Sequence, residues 1–249
     1  MAGTQYAFGT GVLYGRSNSI TNPTPVRFGG LQDVAIDFSF TTKPLYGQYQ
    51  FPIAIGRGTA KVTGKAKWAQ FNAQAYNDLF FGNSSLPTGE IKTAVAEAAT
   101  VTANIVTAVH NGAGNFVADM GVVAAVGGQI YTRVANAPVG VQYACNETTG
   151  VYTFNSSQNG TAVQISYTWN DTANGKNISI TNQLLGNAPT FMAVFTNTYN
   201  GQQQTLTLNQ CMSSKLSFAS KLEDWTIPEF DFDIFADSSN NIGSYSMDN

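Results

Sequence analysis

The sequence predicts a mainly β protein with one main helix. Three observations predict it: many short stretches in which apolar and polar residues alternate, turn residues between those stretches, and one segment with helical spacing. A chain of 249 residues is long enough for one large β domain or for one core with an insertion. At that length the core needs no disulfide framework to be stable.

The first predicted strands lie at residues 34–41 and 60–68, where apolar residues alternate with small or polar ones. The second strand carries its lysines on one face, at Lys61, Lys65 and Lys67. Residues 43–58 contain too many prolines and glycines for a single strand and too many aromatic residues for a bare linker. They are predicted to form a long loop, which either folds onto its own domain or contacts a partner.

One helix is predicted over residues 69–81. Phe71, Ala75 and Leu79 are spaced as on one face of a helix, and Gly82 is placed to end it.

Later segments return to strand-like patterns. The Ala-rich run at residues 94–99 has helix propensity, but its neighbours favour a strand, which we expect. Asn-Gly pairs at residues 111–112, 159–160 and 174–175 are predicted hairpin turns, and another at 200–201 lies between two predicted strands.

The last predicted strand, residues 229–235, alternates acids with hydrophobic residues. Glu229, Asp231 and Asp233 share one face, and apolar side chains occupy the other. A row of like charges repels itself and adds no stability to an isolated domain. We therefore expect this face where a polyanion must pass without binding.

Charged residues are scarce and unevenly distributed. They make up 11% of the chain, against roughly 25% in a typical soluble domain, which suits a subunit whose surface is covered by neighbours. Residues 1–88 contain seven Lys and Arg and three Asp and Glu, whereas residues 89–249 contain five and twelve. The two poles pair either within the fold or between copies stacked head to tail.

Residue types that perform catalysis are few. His110 is the only histidine, so a Ser-His-Asp or Cys-His arrangement would have to use it, and it lies at a predicted turn. Cys145 and Cys211 have no metal-binding spacing, and no glycine-rich segment has phosphate-loop spacing. We therefore expect no enzymatic activity, no cofactor and no metal. A pI near 5.0 argues against a dedicated DNA-binding protein.

We also expect no membrane insertion, because no apolar run approaches the roughly 18 residues needed to span a bilayer. The N-terminal residues lack a basic region followed by an apolar block, so no signal peptide is expected.

Four segments together carry a family resemblance. They are residues 40–82, which end in Asn77-Asp78-Leu79-Phe80-Phe81-Gly82, residues 184–191, residues 206–211 and residues 221–232. Together they resemble the major tail tube protein of tailed bacteriophages.

The resemblance implies a β-sandwich or barrel with one flanking helix. It divides the chain into a tube-forming β core, residues 1–88 and 184–249, and an inserted β-sandwich-like region, residues 89–183. Subunits of this family close into hexameric rings that stack into a hollow tube, and the bore conducts double-stranded DNA during ejection. The expected partners are other copies of the chain and tail proteins at the tube ends, with DNA passing unbound. The expected location is the virion tail, after synthesis in the bacterial cytoplasm.

Roles for particular residues follow from the resemblance. The candidate acids at the bore or at an interface are Glu229, Asp231 and Asp233, and the candidate basic face between subunits is Lys61, Lys65 and Lys67. The family's long loop, matched by residues 41–59, would contact neighbouring subunits through Lys43, Tyr46, Tyr49, Phe51 and Arg57.

Two other hypotheses compete with a tube subunit. One is a phage surface adhesin or glycan-binding β module, which would use the aromatic residues Tyr46, Tyr49 and Trp169. The other is a hydrolase that uses the acid pairs Glu223–Asp224 and Asp231/Asp233.

Overall fold

A computed structural model describes residues 6–70 and 72–248. Strands make up 56% of the chain and helical residues 6%, which confirms the prediction of a mainly β fold with one helix. The strands are β1 (Val12–Ser17), β2 (Val26–Arg27), β3 (Leu31–Tyr46), β4 (Pro52–Trp68), β5 (Thr88–Thr100), β6 (Ile105–Thr107), β7 (Phe116–Ala124), β8 (Thr132–Arg133), β9 (Gln142–Asn146), β10 (Val151–Phe154), β11 (Ala162–Lys176), β12 (Thr190–Tyr199), β13 (Gln202–Ser217), β14 (Glu229–Phe235) and β15 (Gly243–Met247).

The helix α1 (Ala73–Tyr76) continues into a π-helical turn, Asn77–Phe81. It starts later than predicted because the Asn72 side chain accepts hydrogen bonds from the backbone N–H groups of Gln74 and Ala75, at 2.9 and 3.3 Å, and so caps the helix at that point. Gly82 ends it in the left-handed region, with φ of 67°, as predicted. Phe71, part of the predicted helix, lies outside the described residues.

Contacts divide the chain into two compact units. Unit 1 comprises Met1–Leu86 and Ile178–Asn249, and unit 2 comprises Pro87–Asn177. The sequence and the family resemblance placed the corresponding boundaries after residue 88 and before residue 184.

Unit 1 is built on one eight-stranded sheet, in the order β2-β1-β12-β13-β14-β4-β3, with β15 also pairing with β13. The apolar side chains of β14, Phe230, Phe232 and Ile234, are buried in its core, as the alternation of that strand predicts. Phe232 packs over Gly64 of β4 so closely that a Cβ there would overlap its ring. The π-helical turn contributes Leu79 to the same core.

Unit 2 contains two sheets, one in the order β6-β10-β9-β8 and one in the order β5-β11-β7. Side chains from both sheets share a single core, including Tyr143, Tyr152 and Tyr167. The Ala-rich run lies in β5 and is a strand, as predicted. The two ends of unit 2 lie side by side, because Thr88 is the cross-strand partner of Lys176.

Three predicted hairpin turns are wrong. The Asn-Gly pairs at residues 111–112 and 159–160 connect strands that do not pair with each other, and the pair at 174–175 lies inside β11. Gly160 and Gly175 do adopt positive φ, so these glycines serve other backbone turns. Residues 200–201 do form a two-residue hairpin, because Tyr199 pairs with Gln202 on either side of them.

Candidate assembly surface

Residues 43–58 are not a loop, so that prediction is wrong. β3 and β4 pair along a long antiparallel hairpin, from Leu31 opposite Trp68 to Tyr46 opposite Pro52. Pro44 is tolerated because β3 is an edge strand, where a missing backbone donor breaks few ladder bonds, and Pro52 because it is the first residue of β4. Gly58 lies in a register shift, between the pairs Phe40–Ala60 and Thr42–Arg57, where a bulge interrupts the ladder.

The outer half of this hairpin extends beyond the rest of unit 1. β14 pairs with β4 only from Val62 to Lys67, and every residue from 37 to 61 except Pro52 is exposed. We call residues 37–61 the hairpin arm. Among the described residues, therefore, the arm does not fold back onto its own unit.

One face of the arm continues the face that packs in the core. Val34 and Ile36 of β3 pack against the core of unit 1, and the alternation places further apolar side chains in line with them along the arm. We call this set the apolar stripe: Phe38, Phe40, Pro44 and Tyr46 of β3, with Ile55 of β4. The Arg57 guanidinium lies 4.0 Å from the centre of the Phe40 ring, so this cation covers part of the stripe.

The large apolar side chains at the tip are the most exposed ones of the arm. Tyr49 is 73% exposed, Phe51 81% and Ile53 67%. A two-stranded hairpin is marginally stable by itself, and a continuous exposed apolar surface marks an interaction site. The arm therefore has the properties of a contact surface.

Unit 1 also has open strand edges. β3 ends the sheet, so the edge that does not face β4 has no strand neighbour among the described residues. β15 pairs with β13, and all five of its residues are exposed. Open edges carry unpaired N–H and C=O groups that can pair with another chain.

The charged face of the sheet is mixed, which corrects the expectation of an uncompensated acidic row. Register places Glu229 opposite Lys67 and Asp231 opposite Lys65. Ion pairs join Lys61 Nζ to Asp233 Oδ1 at 3.4 Å and Lys215 Nζ to Glu229 Oε2 at 3.9 Å.

The acidic and basic poles thus pair within the fold in this region. Counting Asp33 and Asp37 of β3, which share this face, five acids stand beside four lysines, so the net charge of the face is −1. We call this surface the mixed-charge face.

The structure locates every predicted site residue in unit 1. The acids of β14 and the lysines of β4 form the mixed-charge face, and Lys43, Tyr46, Tyr49, Phe51 and Arg57 belong to the arm. Their roles at a bore or between subunits stay predictions. Register, which brings the acids and lysines together, depends on long-range pairing that no local pattern predicts.

Sequence reasoning missed two features that bear on assembly. Ile53 and Ile55 escaped notice because the segment was interpreted as a loop. Leu222 and Trp225, in residues 218–228 between β13 and β14, are 99% and 88% exposed. The sequence does indicate them, because both are large apolar residues that stand next to charged residues in a segment that ends at a proline.

The histidine is stacked, and the two cysteines are buried or half-buried. The His110 ring stacks on Trp169 with centroids 4.0 Å apart. Burial raises the pKa of Cys145 to about 11 and that of Cys211 to about 12, so both thiols stay protonated at neutral pH. Within residues 6–70 and 72–248, no group of three or more His, Cys, Asp or Glu side chains is arranged to hold a metal ion.

The aromatic residues of the glycan-binding hypothesis do not belong to one unit. Tyr46 and Tyr49 lie in the arm of unit 1, and Trp169 lies in β11 of unit 2. The ring of Trp169 is stacked on His110, and the Lys92 ammonium lies 5.6 Å from its centre. Trp169 thus packs within a local cluster of unit 2.

A buried carboxylate organises unit 2. Asp119, whose side chain is 2% exposed, accepts hydrogen bonds from the Tyr143 hydroxyl at 2.7 Å and the Tyr152 hydroxyl at 3.1 Å. Arg133 Nε lies 3.6 Å from the same carboxylate. These contacts satisfy the buried carboxylate and join the two sheets of unit 2.

Comparison with protein-family models and with curated proteins finds no match for this sequence. No described helix is long and apolar enough to cross a membrane.

Proposed function

We propose that this chain is a structural subunit that assembles with copies of itself into a hollow tube. The single observation that carries the proposal is the hairpin arm, whose apolar stripe extends the core face of its own sheet into solvent. Burying one large apolar side chain contributes about 1.5–3 kcal/mol, so the arm and its tip offer enough apolar surface to drive association. Unit 1 is the part that assembles.

Polymerisation, and not simple dimerisation, is supported by the way the surfaces are arranged. The arm projects from one end of the sheet, and the open edge of β3 runs along its side. Contacts between different surfaces of identical subunits build rings where the rotation closes and open stacks where it does not. Edge pairing around a ring and arm contacts between rings together produce a tube.

The resemblance to phage tail tube proteins specifies the proposal further. It adds hexameric rings stacked head to tail, tail proteins at the tube ends, a place in the virion and passage of double-stranded DNA through the bore. No enzymatic step belongs to this function.

The mixed-charge face suits the lining of such a bore. Tight binding of DNA requires free cations that release counterions from phosphates. Here Lys61 and Lys215 are engaged by acids, while Lys65 and Lys67 stand opposite acids on β14. A nearly neutral face whose lysines are compensated lets a polyanion slide past.

Negative-stain electron microscopy and light scattering of the purified chain test the proposal. Hollow tubes or stacked rings are expected, either spontaneously at high concentration or after addition of preformed tube ends. A chain that stays monomeric under both conditions contradicts it.

The position of the mixed-charge face is tested by replacing Asp231 and Asp233 with lysine. If the face lines the bore, tubes still form and DNA ejection slows, because the new cations bind phosphates. Failure of assembly, with any surviving tubes ejecting DNA normally, places the face between subunits.

A further inference from the structure

We infer that the receptor for the hairpin arm is the segment between β13 and β14 of a second copy, with the arm tip inserting beside Trp225. This inference rests on the proposed function and adds the partner surface. We call residues 218–228 the Trp225 loop.

The Trp225 loop presents an open cleft and uncovered apolar side chains. The cleft, about 300 Å³ in volume, is lined by Lys67, Lys221, Asp224, Trp225, Ile227 and Glu229. Leu222 and Trp225 stand almost fully exposed beside it. An aromatic side chain from another chain would find apolar walls and a charged rim there, the usual anatomy of an anchor site.

Charge favours this surface over two other apolar surfaces of unit 1. The arm carries three cations, Lys43, Arg57 and Lys61, against one acid, Asp37, so it is positive. The Trp225 loop carries one lysine against two acids, Glu223 and Asp224, so it is negative.

Two competing apolar surfaces lack that complementarity. The segment at residues 178–188, which exposes Leu184 and Leu185, contains no charged residue. The groove lined by Tyr14 and Met192 contains Arg16, which has the same sign as the arm. Opposite charge steers association and disfavours wrong pairings, so the Trp225 loop fits the arm better than either of these surfaces.

The segment at residues 236–248 is also acidic, but its exposed Tyr245 and Met247 are each only 55% exposed, and its Asp237 and Asp248 already accept hydrogen bonds from the backbone N–H groups of Asn241 and Gln203. The more exposed Trp225, which lines a cleft, therefore favours the Trp225 loop.

The two surfaces lie at opposite ends of one strand pair. The Trp225 loop leads into Glu229, which pairs with Lys67 near the end of β4, whereas the arm tip precedes Pro52 at its start. The 17 residues of β4 separate them by about 50 Å at the usual strand rise. An arm cannot reach its own Trp225 loop, and each added copy leaves a free arm and a free cleft. Such a head-to-tail contact repeats from copy to copy, and in a stack of rings, where the rotation does not close, it continues without limit.

Disulfide cross-linking of the full-length chain tests this inference. The double variant Tyr49→Cys/Leu222→Cys, oxidised after assembly, is expected to form a covalent ladder of multimers. A mixture of the two single variants is expected to give dimers only, and each single variant alone no ladder. As a matched control, Tyr49→Cys/Leu185→Cys pairs the arm with an equally exposed leucine and is expected to give no ladder.

Charge reversal gives a second measurement that does not depend on cross-linking. Lys43→Glu is expected to raise the concentration needed for assembly at least tenfold, and adding Glu223→Lys is expected to restore it. Both side chains are exposed, so circular dichroism of the variants should match the wild type. If Glu223→Lys restores assembly, the two residues belong to surfaces that contact each other. A general effect of the changed net charge would not be reversed by a substitution at one particular position.

Failure of the inference can be told apart from failure of the proposed function. Wild-type tubes together with no ladder from Tyr49→Cys/Leu222→Cys, or a ladder from the Leu185 control, overturn the receptor assignment and leave the tube intact. Absence of tubes in the wild type overturns both.

Discussion

Units 1 and 2 are both built mainly from antiparallel strand pairs, yet they differ in how completely each covers its own surface. In unit 2 the buried polar groups have partners inside the unit, such as Asp119 with two tyrosine hydroxyls, and its two sheets share one core. Unit 1 leaves the apolar stripe of its longest hairpin in solvent. Unit 2 therefore has the features of a self-sufficient fold, whereas unit 1 leaves uncovered the surface through which we propose that it assembles.

The comparison shows that exposed apolar side chains indicate a contact surface when they extend the buried face of the same strand. Unit 2 also exposes apolar residues, including Val126 and Ile130, but isolated exposure of that kind is normal on protein surfaces. In the arm, register aligns Phe38 and Phe40 with the core-facing residues of the same strand. A surface of that kind is expected to be buried in the functional assembly.

The largest expected effect comes from removing the arm's apolar side chains. The triple variant Phe51→Ser/Ile53→Ser/Ile55→Ser should lose association energy of about 5 kcal/mol or more, which weakens assembly more than a thousandfold. Monomer stability should stay unchanged, because all three side chains are exposed. Sedimentation and electron microscopy measure the assembly, and urea unfolding measures the stability.

A matched triple variant in unit 2 sharpens this test. Val126→Ser/Ile130→Ser/Val139→Ser removes three equally exposed apolar side chains and should leave assembly intact. Equal loss of assembly in both variants would remove the distinction between the units.

The next effect concerns the self-sufficiency of unit 2. Its adjacent ends and separate core predict that residues 87–177 fold alone and unfold cooperatively. In that fragment Asp119→Ala should lower the free energy of unfolding by about 3–5 kcal/mol, because two buried tyrosine hydroxyls lose their acceptor. Urea titration followed by fluorescence of Trp169, the only tryptophan of the fragment, measures it.

Glu147→Ala is the matched control, because it removes the other acid that pairs with Arg133. Glu147 Oε1 accepts from Arg133 at 2.9 Å, but its side chain is 45% exposed, so its removal should cost less than about 1 kcal/mol. A similar loss of unfolding free energy in both variants would mean that Asp119 contributes no more to stability than an exposed ion pair does.

A smaller effect is expected in the core of unit 1. Gly64→Ala places a methyl group against the Phe232 ring and should destabilise the unit by about 1–3 kcal/mol. Gly56→Ala is the control, since its nearest neighbour would be the Lys43 carbonyl oxygen at 3.9 Å. Thermal unfolding below the assembly concentration compares them, and an unchanged midpoint for Gly64→Ala would contradict the packing at β14.

The smallest effect is a pH dependence in unit 2. The Lys92 ammonium, which donates a hydrogen bond to Asp171 at 2.6 Å, holds the pKa of that carboxyl well below its ordinary value of 3.8. A depressed pKa stabilises the fold above pH 3.8, and this contribution is lost as the pH falls below it. The unfolding midpoint of the fragment should therefore drop between about pH 5 and pH 2, and less steeply in Asp171→Asn. Parallel curves would show that this pair contributes nothing.

Local patterns in the sequence predict much of unit 1. The alternation of β14, the strand at residues 60–68 and the glycine that ends the helix are all found in the structure. The arm was missed because proline and glycine are strong local turn signals, whereas pairing with β4 at a sheet edge overrides them.

Other features depend on pairing between residues distant in the sequence. The lysines of β4 lie more than 160 positions before the acids of β14. The alternation within each strand predicts which residues share a face. It does not predict that the two strands are neighbours. The helix start at Ala73, by contrast, was open to prediction, since Asn72 is a strong capping residue.

Amide hydrogen exchange tests most directly whether a second copy completes unit 1. Peptides from residues 37–61 and 151–167 should be compared in the dissociated chain and in the assembly. The arm amides are expected to become strongly protected on assembly, while those of unit 2 stay as protected as before. If the arm exchanges as fast in the assembly as in the dissociated chain, no neighbour covers it, and unit 1 is not the part that assembles.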